Sequence, residues 1–306
     1  MKILIVSFPE SLEMIGGEDQ IAVSLKNEFE KSGCTADICT RNNYDEENGY
    51  HGYDLILSLN VPVQINSKKD IVWAVWIFNT NIGSKIEDIL KHDFDIYFTN
   101  SDFIYNKIKE NSFAIKLDIP PSDKYLRTKE LLFPSSKNTD ILYLGNYNPE
   151  YKTVNKIGDY LIPCIDSRYN FEIYGSKWKI DDQKKLSDQG VFRPEFFTHI
   201  YEDFAKGVFP LEKCNEISDY SKIFINFHSP DQAGFQMINN RMYDLLLNGC
   251  FIITDDFPYQ REKFGDIVEY SSGSNDLRNK IDYYLSDPEK IYEKQLGALK
   301  YGNDIY

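Results

Sequence analysis

Residues 239–258, NNRMYDLLLNGCFIITDDFP, combine two kinds of chemistry in one helical turn. Asn239, Asn240 and Arg241 open an apolar helical run, where unpaired backbone N–H groups and the helix dipole attract anions. Arg241 adds a planar donor fork that suits a phosphate. Asp244 follows one turn further in, among Leu245, Leu246 and Leu247. A carboxylate beside an anion site can accept two hydrogen bonds from a ribose diol, so phosphate at the amides and ribose one turn deeper reproduces the order of groups in a nucleotide. An N-cap role accounts for one asparagine, but not for Asp244.

Other candidates follow strand-like runs. Gly16-Gly17 end the loop Ser7–Gly17 just before a helix, either as a backbone cradle for an anion or as the end of a surface loop. Gly145-Asn146-Tyr147-Asn148-Pro149 follows an apolar strand, and Lys152 stands at the mouth of the next helix, as a cation for a diphosphate or as a solvated lysine. Tyr174-Gly175-Ser176-Lys177-Trp178 offers a backbone bend, a cation and an aromatic face, the tryptophan reading equally as platform or core. His228 comes directly after the run Ile223–Phe227, as a site residue or a hydrogen-bonded loop histidine. Asp255-Asp256 ends a strand, but two acids are too few for a metal site. Asp93-Phe94-Asp95 precedes its strand and is read as chance. With no ligand spacing among the histidines, no metal is expected. G-x-G-x-x-G, P-loop and G-x-S-x-G patterns are absent, so neither a nicotinamide cofactor nor a serine hydrolase is expected.

The elements that must position these residues alternate. Strands are predicted at Lys2–Ser7, Thr35–Thr40, Leu55–Leu59, Ile71–Val75 and Ile96–Thr99, with helices at Glu18–Lys31, Ser84–Lys91 and Asp102–Lys109. A polar stretch, Asp118–Thr139, interrupts the pattern. A second series begins at the strand Asp140–Leu144 and a helix from about Tyr151. It continues with the strand Phe171–Tyr174, a long polar insertion, the helix Leu211–Tyr220 and the strand Lys222–Phe227. Then come the helix Met242–Leu247, the strand Cys250–Ile253, the strand Ile267–Tyr270, the helix Asn275–Leu285 and a last helix from Asp287-Pro288. Such alternation means βαβ units and parallel sheets. Two Rossmann-like domains are expected, 1–135 and 136–306, with ligands outside the carboxyl ends of their strands.

Composition narrows the partners. At 306 residues, with 42% hydrophobic and 15% aromatic content, the chain supports two packed cores. Its net charge of −14 is shared evenly by the two halves, and no basic stripe marks a nucleic-acid partner. The five cysteines lack C-x-x-C spacing, which suits a reduced, cytoplasmic protein. The longest apolar run, Ile71–Phe78, is far too short for a transmembrane segment.

At these residues the chain resembles a GT-B glycosyltransferase of the group 1 type, in its CgeB-like (spore maturation) branch. GGEDQIAVSLKNEFEKSGCTADI resembles the family's glycine loop and first helix. ILYLGNYNPEYK resembles the opening of the second domain, where the family often has an arginine after the glycine and a lysine six positions later; Lys152 matches the lysine and Asn146 replaces the arginine. HSPDQAGFQMINNRMYDLLLNGCFIITDD resembles the donor-binding block, in which two glutamates stand eight positions apart. Gln236 falls on the first, which contacts the sugar, and Asp244 on the second, the ribose ligand; the Asn240-Arg241 pair is a feature of the branch. KGVFPLEKCNEISDYSKIFIN resembles the segment bordering the base, which points to Val208 and Phe209.

The resemblance implies an α/β GT-B fold whose parallel sheets face a central cleft. The first domain would take the acceptor and the second the donor. It implies metal-independent transfer of a sugar, with retention, from a nucleotide-diphosphate sugar to a glycan, lipid-linked or protein acceptor in glycan biosynthesis. Gln236, Arg241 and Lys152 would serve catalysis, and no further cofactor is implied. A catalytically silent nucleotide- or glycan-binding GT-B protein is the alternative, followed by a nucleotide-sugar epimerase. In the family a final helix packs back on the first domain, so the last helix here is expected to be truncated.

Overall fold

The computed structural model describes residues 1–7, 17–44, 50–60, 63, 70–79, 86–119, 122–149, 154–190 and 192–305. They form two units, Met1–Ser122 with Asp231–Asn240, and Asp123–Pro230 with Arg241–Tyr306.

In the first unit the strands are β1 (Lys2–Ser7), β2 (Thr35–Thr40), β3 (Leu55–Leu59), β4 (Val72–Ile77), β5 (Ile96–Thr99) and β6 (Ala114–Lys116). They pair in parallel in the order β2-β1-β3-β4-β5-β6. Ile3, Ile5, Val6, Ile56, Val75 and Ile77 are all fully buried, because helices cover both faces of a parallel sheet; continuous apolar runs, rather than alternation, are the result. The helices are α1 (Gly17–Lys31), α2 (Ile86–Ile89) and α3 (Asp102–Ile108). Ser101 caps α3, its hydroxyl accepting from Ile104 N at 3.0 Å. The same hydroxyl donates to the Phe235 carbonyl, and Asn100 Nδ2 donates to Ile238 O at 3.3 Å. With Met237 fully buried in this core and the Phe235 ring 5.7 Å from Phe103, residues 231–240 are bound into the first unit.

In the second unit β7 (Thr139–Leu144), β8 (Phe171–Tyr174), β9 (Ser221–Ile225), β10 (Ile252–Asp255) and β11 (Glu269–Ser271) pair in parallel in the order β11-β10-β9-β7-β8. Around them lie α4 (Val154–Leu161), α5 (Ile180–Asp188), α7 (Asn240–Leu247), α8 (Pro258–Phe264), α9 (Ser274–Leu285) and α10 (Pro288–Ile305), whereas α6 (Pro230–Gly234) belongs with the first unit apart from Pro230. Among the described residues no helix is long and apolar enough to cross a membrane.

Most elements fall within a few residues of their predicted bounds, but four helices or strands, α5, α6, α8 and β6, were not anticipated and one was misread. α5 hides in the polar insertion because only Ile180 and Gln183 of it are buried. α6 is five residues long with none buried, α8 begins at a proline and offers no apolar stripe, and β6 is a three-residue edge strand. Leu211–Asp219, expected as an α-helix, is a run of 3-10 turns. Its backbone groups are spent elsewhere: Ser218 N donates to Asn248 Oδ1 at 2.9 Å, and Ser218 O accepts from Lys137 Nζ at 2.7 Å.

Those bonds belong to a buried clasp on the polar stretch after residue 122. The Arg127 side chain, 1% exposed, donates to Ser218 Oγ at 2.7 Å and forks onto both carboxylate oxygens of Asp219. Burial lowers the Lys137 ammonium from the usual lysine value to about 8. Because its folded value lies below its unfolded one, the folded chain sheds this proton first, so stability rises with pH between about 8 and 10.5. Urea unfolding of wild type and Lys137→Met should show it. The wild type gains up to about 3 kcal/mol relative to the variant across that window, and a pH-independent difference would refute the assignment.

Candidate functional site

Strand order reverses in the second sheet between β7 and β9, because the chain leaves β7 for β8 on one side and later fills β9, β10 and β11 on the other. Ligands of open parallel sheets bind at the carboxyl edge of such a switch point. Here Tyr143 of β7 is paired with Ile225 of β9, so Leu144 and Asn226, and then Gly145 and Phe227, emerge side by side.

Arg241 occupies this edge. Its guanidinium carbon lies 4.9 Å from the Tyr143 ring centroid, and Nη1 donates to Asn226 Oδ1 at 3.3 Å. Tyr143 is itself fixed, stacked on Phe227 with centroids 5.1 Å apart and edge-on to Trp178. Gly145 is pressed close: a Cβ there would stand 2.7 Å from Arg241 Nη2 and 2.7 Å from Tyr143 Oη. A cation thus faces bare backbone, the arrangement that lets a phosphate approach both.

The loops after β7 and β8 are sewn together. Gly145 N donates to Tyr174 O, Tyr147 N to Ser176 O, Ser176 N to Asn146 Oδ1 at 2.8 Å, and Trp178 Nε1 to Gly145 O at 2.7 Å. Gly175, at φ +150°, donates to Gly207 O at 2.7 Å, which brings the segment before Val208 alongside. Lys177, in a left-handed conformation at φ +68°, donates to Asn148 Oδ1 at 3.2 Å.

A second cluster continues from Arg241 through Asn226. Asn226 Nδ2 donates to Thr254 Oγ1 at 3.2 Å, and Thr254 Oγ1 lies 3.3 Å from Asp255 Oδ1. Asp255, fully buried, accepts from His228 at backbone N and at Nδ1 (2.8 Å), and from Lys156 Nζ at 3.0 Å. Burial alone would raise the Asp255 carboxyl, but His228 and Lys156 outweigh it and hold the group below the usual carboxylate range.

The residues singled out from sequence divide as follows. Gly145's neighbours Asn146, Gly175 and Lys177, together with Arg241 and His228, lie on the carboxyl edge of the second sheet. Tyr147 is a core residue, 4% exposed, packed on Trp178, Phe192 and Tyr201, with its phenol donating to Phe196 O; the tryptophan platform is likewise core. Phe209 is buried between Tyr174 and Tyr220, whereas Val208 is 73% exposed. Asp244 lies in α7 at 9% exposure, where, after burial, its charge helps push the Tyr125 phenol up. Gln236, at φ +56°, and Asn239 and Asn240 belong to the first unit. Gly17 opens α1, while Gly16 and Lys152 lie outside the described residues. Sequence reasoning missed Tyr143, Asn226 and Lys156, and set Asp255 aside because two acids are too few for a metal site. The usable signal was that Asn226, His228 and Asp255 all fall at the carboxyl ends of strands. Among the described residues no cluster of three or more His, Cys, Asp or Glu is placed to hold a metal.

Comparisons with known proteins agree with this architecture. Residues 160–298 match a family model described as glycosyl transferase-like. Sucrose-phosphate synthase from Thermosynechococcus elongatus is similar in structure at a TM-score of 0.69 and 10% identity, over 100% of this chain and 95% of that one. An α-glucosyltransferase bound to UDP and a 13-mer DNA gives 0.66 and 12%, over 100% and 95%. T4 phage BGT, bound to UDP and Mn2+, gives 0.64 and 12%, over 99% and 95%. No curated protein sequence matches significantly. The fold, two parallel sheets along the whole chain, is that of GT-B glycosyltransferases.

Proposed function

We propose that this chain is a glycosyltransferase that takes a sugar from a nucleoside-diphosphate sugar and delivers it to a hydroxyl of a glycan, lipid-linked or protein acceptor. One observation carries the reading: at the switch point, Arg241 lies against the bare backbone of Gly145, a ready seat for a diphosphate. The match over 160–298, and the UDP held by two of the similar structures, support the same chemistry.

In this reading Arg241 meets the charge that develops on the leaving diphosphate, without a divalent cation. Asp244 takes the ribose diol, the segment at Val208 borders the base, and Lys152 adds a second cation. Transfer retains the anomeric configuration, in the cytoplasm and in the CgeB-like manner. The α-glucosyltransferase named above binds DNA; a net charge of −14 argues for a different acceptor here. A second reading, nucleotide binding without turnover, is favoured by Gln236, an amide where the resembled block has a glutamate.

Thermal shift against UDP, GDP, ADP, CDP, CMP and their sugars, with and without Mg2+, tests the proposal. A ligand at about a hundred times its Kd adds roughly 2.7 kcal/mol, a rise of about 5 °C. One diphosphate should stabilise the protein in both conditions. A strict Mg2+ requirement would remove the metal-free mechanism, and no response at all would remove the donor site. Binding without sugar transfer or donor hydrolysis would select the silent reading.

A further inference from the structure

The Lys156–Asp255–His228 cluster has no part in the diphosphate contact at Arg241, yet it is buried and incomplete at one atom. His228 is wholly inaccessible, and its Nε2 has no hydrogen-bond partner among the described residues. A buried polar atom left unmatched keeps its full desolvation cost, and a native structure with such an atom calls for a reason. The other side of the ring is fully specified. Asp255, itself tied to Lys156, is placed to take the Nδ1 proton; with the ring's proton on Nδ1, Nε2 presents a lone pair.

Position supplies the ligand. Asn226 and His228 stand just past the end of β9, on either side of Phe227, which packs into the core against Tyr143 and Tyr160. Asn226 holds Arg241. His228 is two residues further on, about 7 Å along an extended chain, and is joined to Asn226 through Thr254 and Asp255. A lone pair there cannot bind a phosphate oxygen, which brings no proton. It accepts from a hydroxyl, and the hydroxyl-bearing group next to a diphosphate is the sugar.

We propose that His228 Nε2 accepts a hydrogen bond from a hydroxyl of the nucleotide-linked sugar, with Asp255 and Lys156 fixing the tautomer. This rests on the donor-site reading above. The Phe257 ring packs edge-on to His228 at 5.1 Å, and because His228 is inaccessible, neighbouring side chains must shift to admit the hydroxyl.

The test is 15N spectroscopy of the full chain labelled at histidine, titrated with UDP and UDP-glucose, or with GDP and GDP-mannose where the thermal panel selects guanosine. Replacing His51, His92 and His199 singly assigns His228 by elimination, without disturbing the site. The free protein should show the Nδ1–H tautomer at His228. The nucleotide sugar should move the Nε2 resonance toward its hydrogen-bonded position, and the bare diphosphate should leave it in place. His228→Phe should lose about tenfold in affinity for the nucleotide sugar with the diphosphate affinity unchanged, and His228→Gln, which keeps an acceptor, should recover part of it. If both ligands bind and Nε2 does not respond, or responds equally to both, this inference is overturned and the donor site stands. If neither nucleotide binds, both readings fall.

Discussion

Arg241→Ala should lower affinity for the stabilising nucleoside diphosphate about a hundredfold. The guanidinium is the positive group at the switch point whose geometry is fixed on both sides, by the Tyr143 ring at 4.9 Å and by Asn226 Oδ1 at 3.3 Å. Charge-assisted hydrogen bonds contribute roughly 1.5–3 kcal/mol each, and about 3 kcal/mol corresponds to a little over a hundredfold. Arg241→Lys keeps the charge but neither the planar fork nor the stacking, so an intermediate loss of about tenfold is expected. Tyr143→Leu, which removes the ring beneath an intact arginine, should lose only the cation–π contribution, about 0.5–2 kcal/mol. Isothermal titration measures all three, and the melting temperature of each unliganded variant separates loss of a contact from loss of fold. Binding by Arg241→Ala within threefold of wild type would take the diphosphate away from this edge of the sheet.

The sheet-forming parts of the chain were legible because parallel strands buried on both faces have to be continuous apolar runs. Ile3–Val6 and Ile223–Ile225 can hardly be read otherwise. Arg241 stands out in the sequence for a different reason: a cation and two amides at a helix start have few uses in a core. The rest depended on pairings that sequence order does not express. Asp255 and Lys156 stand 99 residues apart and meet only because β10 and α4 reach the same edge. Tyr147 was read as a ligand contact because it follows Gly145 in a loop, yet four aromatic rings of the insertion, those of Trp178, Phe192, Phe196 and Tyr201, lie in the same core and claim its place there. The 3-10 run at Leu211–Asp219 has helical spacing in sequence, but Asn248 and Lys137 take the backbone groups of Ser218 that an α-helix would use. Residues 231–240 carry no composition change that marks their place in the first unit; Ser101 and Asn100 hold them there.

Gly175→Ala should be the most damaging single methyl group in the second unit. At φ +150° the backbone is in a region that side chains rarely adopt, and the added Cβ would stand 2.1 Å from the Gly145 carbonyl oxygen. No rotamer relieves a Cβ, so the loops after β7 and β8 must part. That separation breaks Gly145 N to Tyr174 O and strains the 2.7 Å bond from Trp178 Nε1 to the same Gly145 oxygen. Strain of about 1–3 kcal/mol and a lost hydrogen bond of about 1 kcal/mol together predict destabilisation of roughly 2–4 kcal/mol in urea unfolding. Gly158→Ala is the matched control. In the interior of α4 its Cβ meets only Ile162 Cδ1 at 3.8 Å, so the better helix former should stabilise by about 0.5–1 kcal/mol. The two variants should also separate in binding. Gly145 lies against Arg241, so displacing its loop in Gly175→Ala weakens diphosphate affinity even under conditions where the variant is folded, whereas Gly158→Ala leaves it unchanged. Equal stability of Gly175→Ala and wild type would mean that the two loops do not meet at the Gly145 carbonyl, and the phosphate seat built on that contact would have to be abandoned.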